Sequence, residues 1–321
     1  TSSNSPYVQV YEWNDGFGAK YADPSTGFTT TVWGVVWSPD GNDICFTTGH
    51  SPYVHVYPWS SSGFGSKYSD PSTLPAGTCY WGPAFSPDGS NLALPHGNSP
   101  YVTVYPWNSG FGTKYANPST AVTTINPAYG CAWSPDGNDL AIARNGSPGV
   151  SAYPWSSGFG SKYSDPSTAS GSRGFSVDFS PDGNNLAVAH QYSPRLTVYQ
   201  WSSGFGSKYS DPSTGVPDHG WDVEFSPDGN DIAVAHSTSP YVSVYPWNSG
   251  FGSKHADPST LPSGTPRGLG WSPDGNVLAV ASPSSPYIFA YSWDSGFGTK
   301  YADPSTLPTG TTYGIAFSPA D

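Results

Sequence analysis

The chain has 321 residues, 16% of them aromatic, with 38 Gly, 34 Pro and no Met, and a formal net charge of −12. Only 11 Lys and Arg stand against 23 acids, so there is no basic face for a phosphate backbone or an anionic membrane surface, and nucleic acid is excluded as a partner. No apolar run is long enough to cross a bilayer as a helix, no helical periodicity persists, and the aromatic content separates the chain from disordered Gly/Pro/Ser-rich segments.

The start at Thr1 and the lack of Met are expected of a processed or excised piece of a longer protein. Cys45, Cys79 and Cys131 fall at three different positions of the repeat described below. They suit isolated thiols filling apolar gaps rather than a disulfide or metal set.

In chain order, the first recognisable element is a Val/Tyr-rich segment, Tyr7 to Trp13, followed by a Gly-Phe-Gly turn, Lys20 and the sequence DPST. The next, from Trp33, is an alternating strand that runs into Ser-Pro-Asp-Gly at Ser38. That tetrapeptide returns at Ser86, Ser134, Ser180, Ser226 and Ser272, with an altered copy at Ser318, at intervals of 48, 48, 46, 46, 46 and 46 residues. A period of this size points to a propeller or solenoid. Each copy follows an aromatic residue and precedes a short apolar run, which reads as strand, tight turn, strand. One unit is predicted to hold strands at 221–227, 231–236 and 241–247 and a weaker fourth at 254–260. Four short antiparallel strands in about 46 residues is the arithmetic of a propeller blade.

The aromatic-SPDG turn, followed by segments such as DIAVAH (231–236) and YVSVYPW (241–247), resembles WD40 and YVTN-type β-propeller repeats over essentially the whole chain. The third strand ends in YPW rather than WD, and the usual Gly-His is missing. The segment YPWSSGFGSKYSDPST also resembles repeats of bacterial and tailed-phage structural proteins. The fold expected is therefore all-β, a seven-bladed propeller of four-stranded antiparallel blades forming one domain. Its blades fall at 28–73, 74–120, 121–168, 169–214, 215–260 and 261–306. A composite blade from 307–321 and 1–27 closes the ring. Aligning the termini, Thr1 matches Ala235 and Asp321 matches Gly229, so about five residues of the composite blade's second strand have no counterpart. Either a cut lies inside a longer protein, or a groove is left where another strand could add.

Trp13, Trp59, Trp107, Trp155, Trp201, Trp247 and Trp293 end the third strands, a Phe recurs in each Gly-Phe-Gly, and all seven lysines share one column three residues before an acid or amide. These suit seven sugar sites of a multivalent lectin or, more plainly, a Trp–Phe lock on the outer strand with an exposed ion pair. Variation between copies is confined to links expected on one rim. There lie Arg144, Arg173, Arg195, Arg267 and His219, and a column of Trp33, Trp81, Tyr129, Phe175, Trp221 and Tyr313 that should ring the channel mouth. This rim reads as a face for a protein or glycan partner. His96, His190 and His236 share a column and should cap strand ends.

Asp178, Asp222 and Glu224 replace small residues on two adjacent inner strands. They suit carboxylates solvated in a wet channel or, as a weaker candidate, ligands of a hard cation. No nucleophile with its base stands out, and no metal or cofactor is expected. The leading expectation is a non-catalytic binding or structural propeller on a virion or an extracellular surface. The alternatives are a lectin and a cation-dependent hydrolase or lactonase at the channel mouth.

Overall fold

The computed structural model describes residues 1–122 and 127–319. Part of the variable link at 121–129 and the end of the altered last turn, Ala320–Asp321, lie outside the described residues. The fold is all-β. Among the described residues there are no helices, and the strands form seven small antiparallel sheets of two, three or four strands. A representative four-stranded sheet takes Gly174–Phe179, Asn185–His190, Leu196–Trp201 and Phe205–Lys208 in consecutive order.

The repeated tetrapeptide builds its turn by side-chain chemistry. Ser38 Oγ donates to Asp40 Oδ1 at 2.6 Å, and Asp40 accepts the backbone N–H of Asn42 at 3.1 Å and its side-chain amide at 2.8 Å. Gly41 takes φ +71°, which a residue with a Cβ resists. These hydrogen bonds hold the Asp40 carboxyl below its usual pKa. The turn also reaches forward: the carbonyl of Asn42 accepts the N–H of Trp59 at 2.7 Å, and the same bond recurs from Trp107, Trp155, Trp201, Trp247 and Trp293.

Second strands are apolar on both sides because each sheet packs between two others. In Asp231–His236 every residue is buried. Ile232 and Val234 join the core formed with Ala187, Ala189, Leu196 and Val198 of the preceding sheet, while Ala233 and Ala235 join the one containing Leu269, Leu278 and Val280 of the following sheet. Each fully buried Val, Leu or Ile contributes about 1.5–3 kcal/mol, so these cores between sheets carry most of the stability.

A second set of contacts links each unit to the one before. Tyr57 donates its hydroxyl to the carbonyl of Thr26 at 2.6 Å, and Tyr105, Tyr153, Tyr199, Tyr245 and Tyr291 do the same to Thr73, Thr120, Thr168, Thr214 and Thr260. Tyr11 makes the seventh such bond, to Thr306 at 2.7 Å, across the chain ends.

The fourth strand differs from expectation. Where it forms, it is Phe17–Lys20, Gly63–Phe64, Phe205–Lys208 or Phe297–Lys300, not the Lys-to-Thr segment exemplified by 254–260. Three sheets stop at three strands, with a single bridge from Trp107, Trp155 or Trp247 to the following Phe. The physical reason is the DPST sequence. Its Pro offers no N–H to a ladder, and its Thr carbonyl is already the acceptor for the next unit's Tyr. The Trp–Phe lock itself is present: Trp201 meets Phe205 edge to face at 5.1 Å. The exposed ion pairs are present as well, as in Lys208–Asp211.

Candidate active site

The first strands of successive sheets lie side by side around a cavity of about 340 Å³, lined by residues from Val35 through Gly82, Gly130, Ser176, Asp222 and Gly268 to Ala316. One layer of this wall is small by necessity. A Cβ on Gly34 would lie 2.4 Å from the Trp81 carbonyl oxygen, and one on Gly82 would lie 2.7 Å from Gly130 Cα. Here neighbouring strands bond directly, Cys131 N–H to the Gly82 carbonyl at 3.0 Å.

On the opposite arc the strands are joined through side chains instead. Asp178 Oδ2 accepts the N–H of Phe225 at 2.7 Å, Asp222 Oδ2 that of Leu269 at 2.9 Å, and Glu224 Oε2 that of Trp271 at 3.3 Å. By register Asp178 and Glu224 occupy equivalent positions on adjacent strands, and Asp222 lies two residues nearer the mouth, level with Ser176. All three stay partly exposed to the cavity.

Enclosure by protein raises the pKa of each acid. Asp178 is pushed up to about 7 by burial, opposed by the Phe225 N–H and reinforced by the charge of Asp222. Glu224 is raised well above the usual carboxylate range by burial and then by the charges of Asp222 and Asp178. Asp222 is raised by burial, against hydrogen bonds from Ser176 and the backbone. These groups are therefore not the simply solvated channel carboxylates expected from the sequence; burial and, for Asp178 and Glu224, the charge of neighbouring acids raise their affinity for protons. The described residues contain no grouping of three or more acid, His or Cys side chains fit to hold a metal ion. Each of the three carboxylates, named from the sequence as weak cation candidates, is turned onto the backbone of the next strand, where one oxygen accepts an N–H.

The mouth column comes together as predicted, but as a packed plug. Trp81 stacks on Tyr129 at 5.4 Å, Phe175 lies 4.3 Å from Trp221, and Trp33 lies 4.5 Å from Tyr313. Arg267 is set among them, its guanidinium carbon 4.5 Å from the Trp221 ring centre, 5.7 Å from Trp81 and 5.9 Å from Tyr313. The indole N–H groups of Trp33 and Trp81 are buried without a hydrogen-bond partner. His219 Nδ1 is 2.8 Å from Asp218 Oδ1, and its ring stacks over Trp221 at 6.2 Å.

The other arginines are not gathered here. Arg144 is buried; its Nε donates to Ser151 Oγ at 2.7 Å and its Nη1 to the Gly146 carbonyl at 2.9 Å. It occupies the column of His96, His190 and His236, whose Nε2 atoms meet Thr103, Thr197 and Ser243 at 2.9–3.0 Å. Arg173 donates to Asn145 Oδ1 at 3.2 Å, and Arg195 lies 3.4 Å from the Val216 carbonyl. Sequence reasoning missed Ser176 and Asp218, the partners of Asp222 and His219; only register places Ser176 beside Asp222, whereas Asp218 is the chain neighbour of His219.

No protein-family model matches the chain, and no curated protein sequence does. Solved structures do match in fold. The periplasmic gluconolactonase of Pseudomonas aeruginosa aligns with a TM-score of 0.72 at 17% identity, covering 97% of this chain and 94% of that one. A protein of Bacteroides fragilis, provisionally named a 6-phosphogluconolactonase, aligns at 0.65 and 13% identity over 92% and 87%. Hydrazine synthase of Kuenenia stuttgartiensis aligns at 0.69 and 16% identity over 96% and 94%. These neighbours are all-β, propeller-like folds.

The expectation of a non-catalytic scaffold is corrected by them, and the virion, phage and lectin roles lose their footing with it. Two of the three carry lactonase names, as does a further one from Bacteroides uniformis.

Proposed function

We propose that the chain is a lactone hydrolase whose reaction takes place in the central cavity. In this reading the seven sheets are blades of one propeller, with the blade boundaries drawn from the repeat and the ring joined at the termini by the Tyr11–Thr306 bond. The observation that carries the proposal is a set of three carboxylates on one cavity: Asp178, Asp222 and Glu224 line it together with Arg267 and Trp81. The lactonase names of the fold neighbours support it.

Lactone hydrolysis needs a base to activate water, an acid for the leaving ring oxygen, and donors for the developing oxyanion. Carboxylates of raised proton affinity in one cavity supply the first two when one member is ionised while another is protonated. Water adds to the carbonyl carbon as its proton passes to the ionised carboxylate, Asp178. The ring C–O bond then breaks, and its oxygen takes a proton from the protonated partner, Glu224. The product is the open-chain hydroxy acid. Arg267, which lines the same cavity, is the donor assigned to the oxyanion, and the aromatic plug keeps bulk water away from it.

The test is hydrolysis of glucono-δ-lactone followed by pH-stat, with the spontaneous rate subtracted. Asp178→Asn and Glu224→Gln should each lower kcat/KM by roughly 10²–10⁴-fold, and EDTA should leave the rate unchanged. No rate above background, or full activity in both variants, overturns the proposal. Loss of activity in EDTA overturns the carboxylate mechanism in favour of a cation-dependent one.

A further inference from the structure

Three acids line the central cavity, and the proposed hydrolysis uses two of them, Asp178 and Glu224. The third, Asp222, receives the most hydrogen-bond donors. Its Oδ1 accepts the N–H of Val223 at 3.0 Å and its Oδ2 that of Leu269 at 2.9 Å, so each oxygen meets a main-chain donor. Ser176, level with it on the preceding first strand, adds a side-chain donor. Asp178 accepts the N–H groups of Phe225, at 2.7 Å, and of its own neighbour Phe179. Glu224 has one bond, the long one from the Trp271 N–H at 3.3 Å.

Hydrogen bonds donated to a carboxylate favour its ionised form, and an ionised neighbour disfavours a second charge. The donors therefore put the acids in order: Asp222 gives up its proton first, Asp178 next and Glu224 last. The charges follow the same order. Burial raises the proton affinity of all three; beyond it, the charges of Asp222 and Asp178 raise Glu224, that of Asp222 raises Asp178, and Asp222 is raised by burial alone. Arg267 lines the cavity, but its guanidinium lies over the Trp221 ring and, among the described residues, pairs with no acid. The other titratable groups on the wall are Tyr313 and Cys131, whose thiol is turned onto the Gly82 carbonyl at 3.3 Å. The Asp222 charge is therefore felt by the two acids beside it.

We propose that Asp222 is a positioning residue of this cavity: a fixed anion, tied down by Ser176, Val223 and Leu269, that keeps the proton on Glu224. Its use rests on the lactonase reading, in which Glu224 must hold a proton for the leaving ring oxygen while Asp178 takes one from water. The order of ionisation itself does not depend on any reaction. A cavity with Asp178 and Glu224 alone would leave Glu224 free to ionise at lower pH, and the acid would be lost from the base's working range.

The chain has only two glutamates, Glu12 and Glu224, so carboxyl-labelled glutamate gives two NMR signals, which Glu12→Gln assigns. The Glu224 signal should titrate above the usual carboxylate range. In Asp222→Asn, which keeps an oxygen for the Leu269 N–H, its midpoint should fall by about one pH unit or more. A purely structural role for Asp222 would leave that midpoint in place, and an unmoved midpoint overturns the proposal. If the variant fails to fold, the parent decides. Its Glu224 signal should show a small early step as Asp222 ionises and then its own large one, and Ser176→Ala should move the early step to higher pH. A single step, or an early step that Ser176→Ala does not move, overturns the proposal. In the lactone assay the alkaline limb of the Asp222→Asn pH–rate profile should shift down with the midpoint. A midpoint that falls in a chain without lactonase activity supports the role of Asp222 and overturns the reading of the reaction, so the two fail separately.

Discussion

Asp178 Oδ2 accepts the backbone N–H of Phe225 at 2.7 Å, so a cavity carboxylate is also the tie between two neighbouring sheets. Burial raises this acid from 3.8 to about 7, so the folded protein binds its proton more tightly than the unfolded chain does. Its contribution to stability is full below pH 3.8 and is lost as pH rises through about 7. At about 1.4 kcal/mol per pKa unit, the swing is on the order of 2–4 kcal/mol. Asp178→Asn keeps an oxygen for Phe225 and cannot ionise. Urea unfolding should show the variant gaining on the parent between pH 4 and pH 8; a constant difference would contradict this account.

The buried histidines have the opposite sign. His55, His96, His190 and His236 are held neutral, their pKa values lowered by burial from 6.5 to about 4. Their contribution is present above pH 6.5 and is lost as pH falls through about 4. Replacing His96, His190 and His236 together by Gln, which can still meet the neighbouring hydroxyls, should flatten the loss of urea stability between pH 6.5 and pH 4 relative to the parent.

Asp139 joins two units through two donors. The Tyr163 hydroxyl reaches Oδ1 at 2.7 Å, and the Trp201 indole N–H of the next sheet reaches Oδ2 at 3.0 Å. Asp43 and Asp231 do the same with Tyr68 and Trp107, and with His255 and Trp293. Asn91 and Asn185 occupy the alternate units. Hydrogen bonds to a charged acceptor contribute about 1.5–3 kcal/mol each. Asp139→Ala should therefore cost about 3–5 kcal/mol in denaturant melts, and Asn185→Ala clearly less.

Close approach of first strands makes the cavity glycines intolerant. A Cβ on Gly82 would meet Gly130 Cα at 2.7 Å and Cys131 N at 3.3 Å, both backbone atoms that cannot swing aside. Gly82→Ala should cost about 1–3 kcal/mol by forcing the strands apart. Gly27 and Gly215 have open space around a Cβ, and their Ala variants should melt with the parent.

The Lys–Asp column is the counter-case. Lys208 and Asp211 pair at the surface three residues apart. Lys208→Ala should change stability by no more than about 0–1 kcal/mol, and less in high salt.

The repeat arithmetic, the SPDG turn and the Trp–Phe lock were legible because each depends on residues close in sequence and recurs in every unit. The fourth strand was misplaced because the fate of DPST is set by a Tyr from the following unit. The mouth residues could be named from one column. The same column could not show that their rings fill the mouth around Arg267, or that Arg144 turns inward to Ser151. The acids were visible as exceptions among small residues, yet their proton affinity comes from enclosure and mutual charge, which no single strand encodes.

Local chemistry by itself determined the unit: where each turn falls and which strands are apolar on both sides. Tertiary structure alone decided how the units meet. It set Asp178, Asp222 and Glu224 across one cavity from a wall of glycines. The physical reason is that proton affinity is a property of neighbours brought together from far apart in the chain. A period in sequence can count such neighbours but cannot place them.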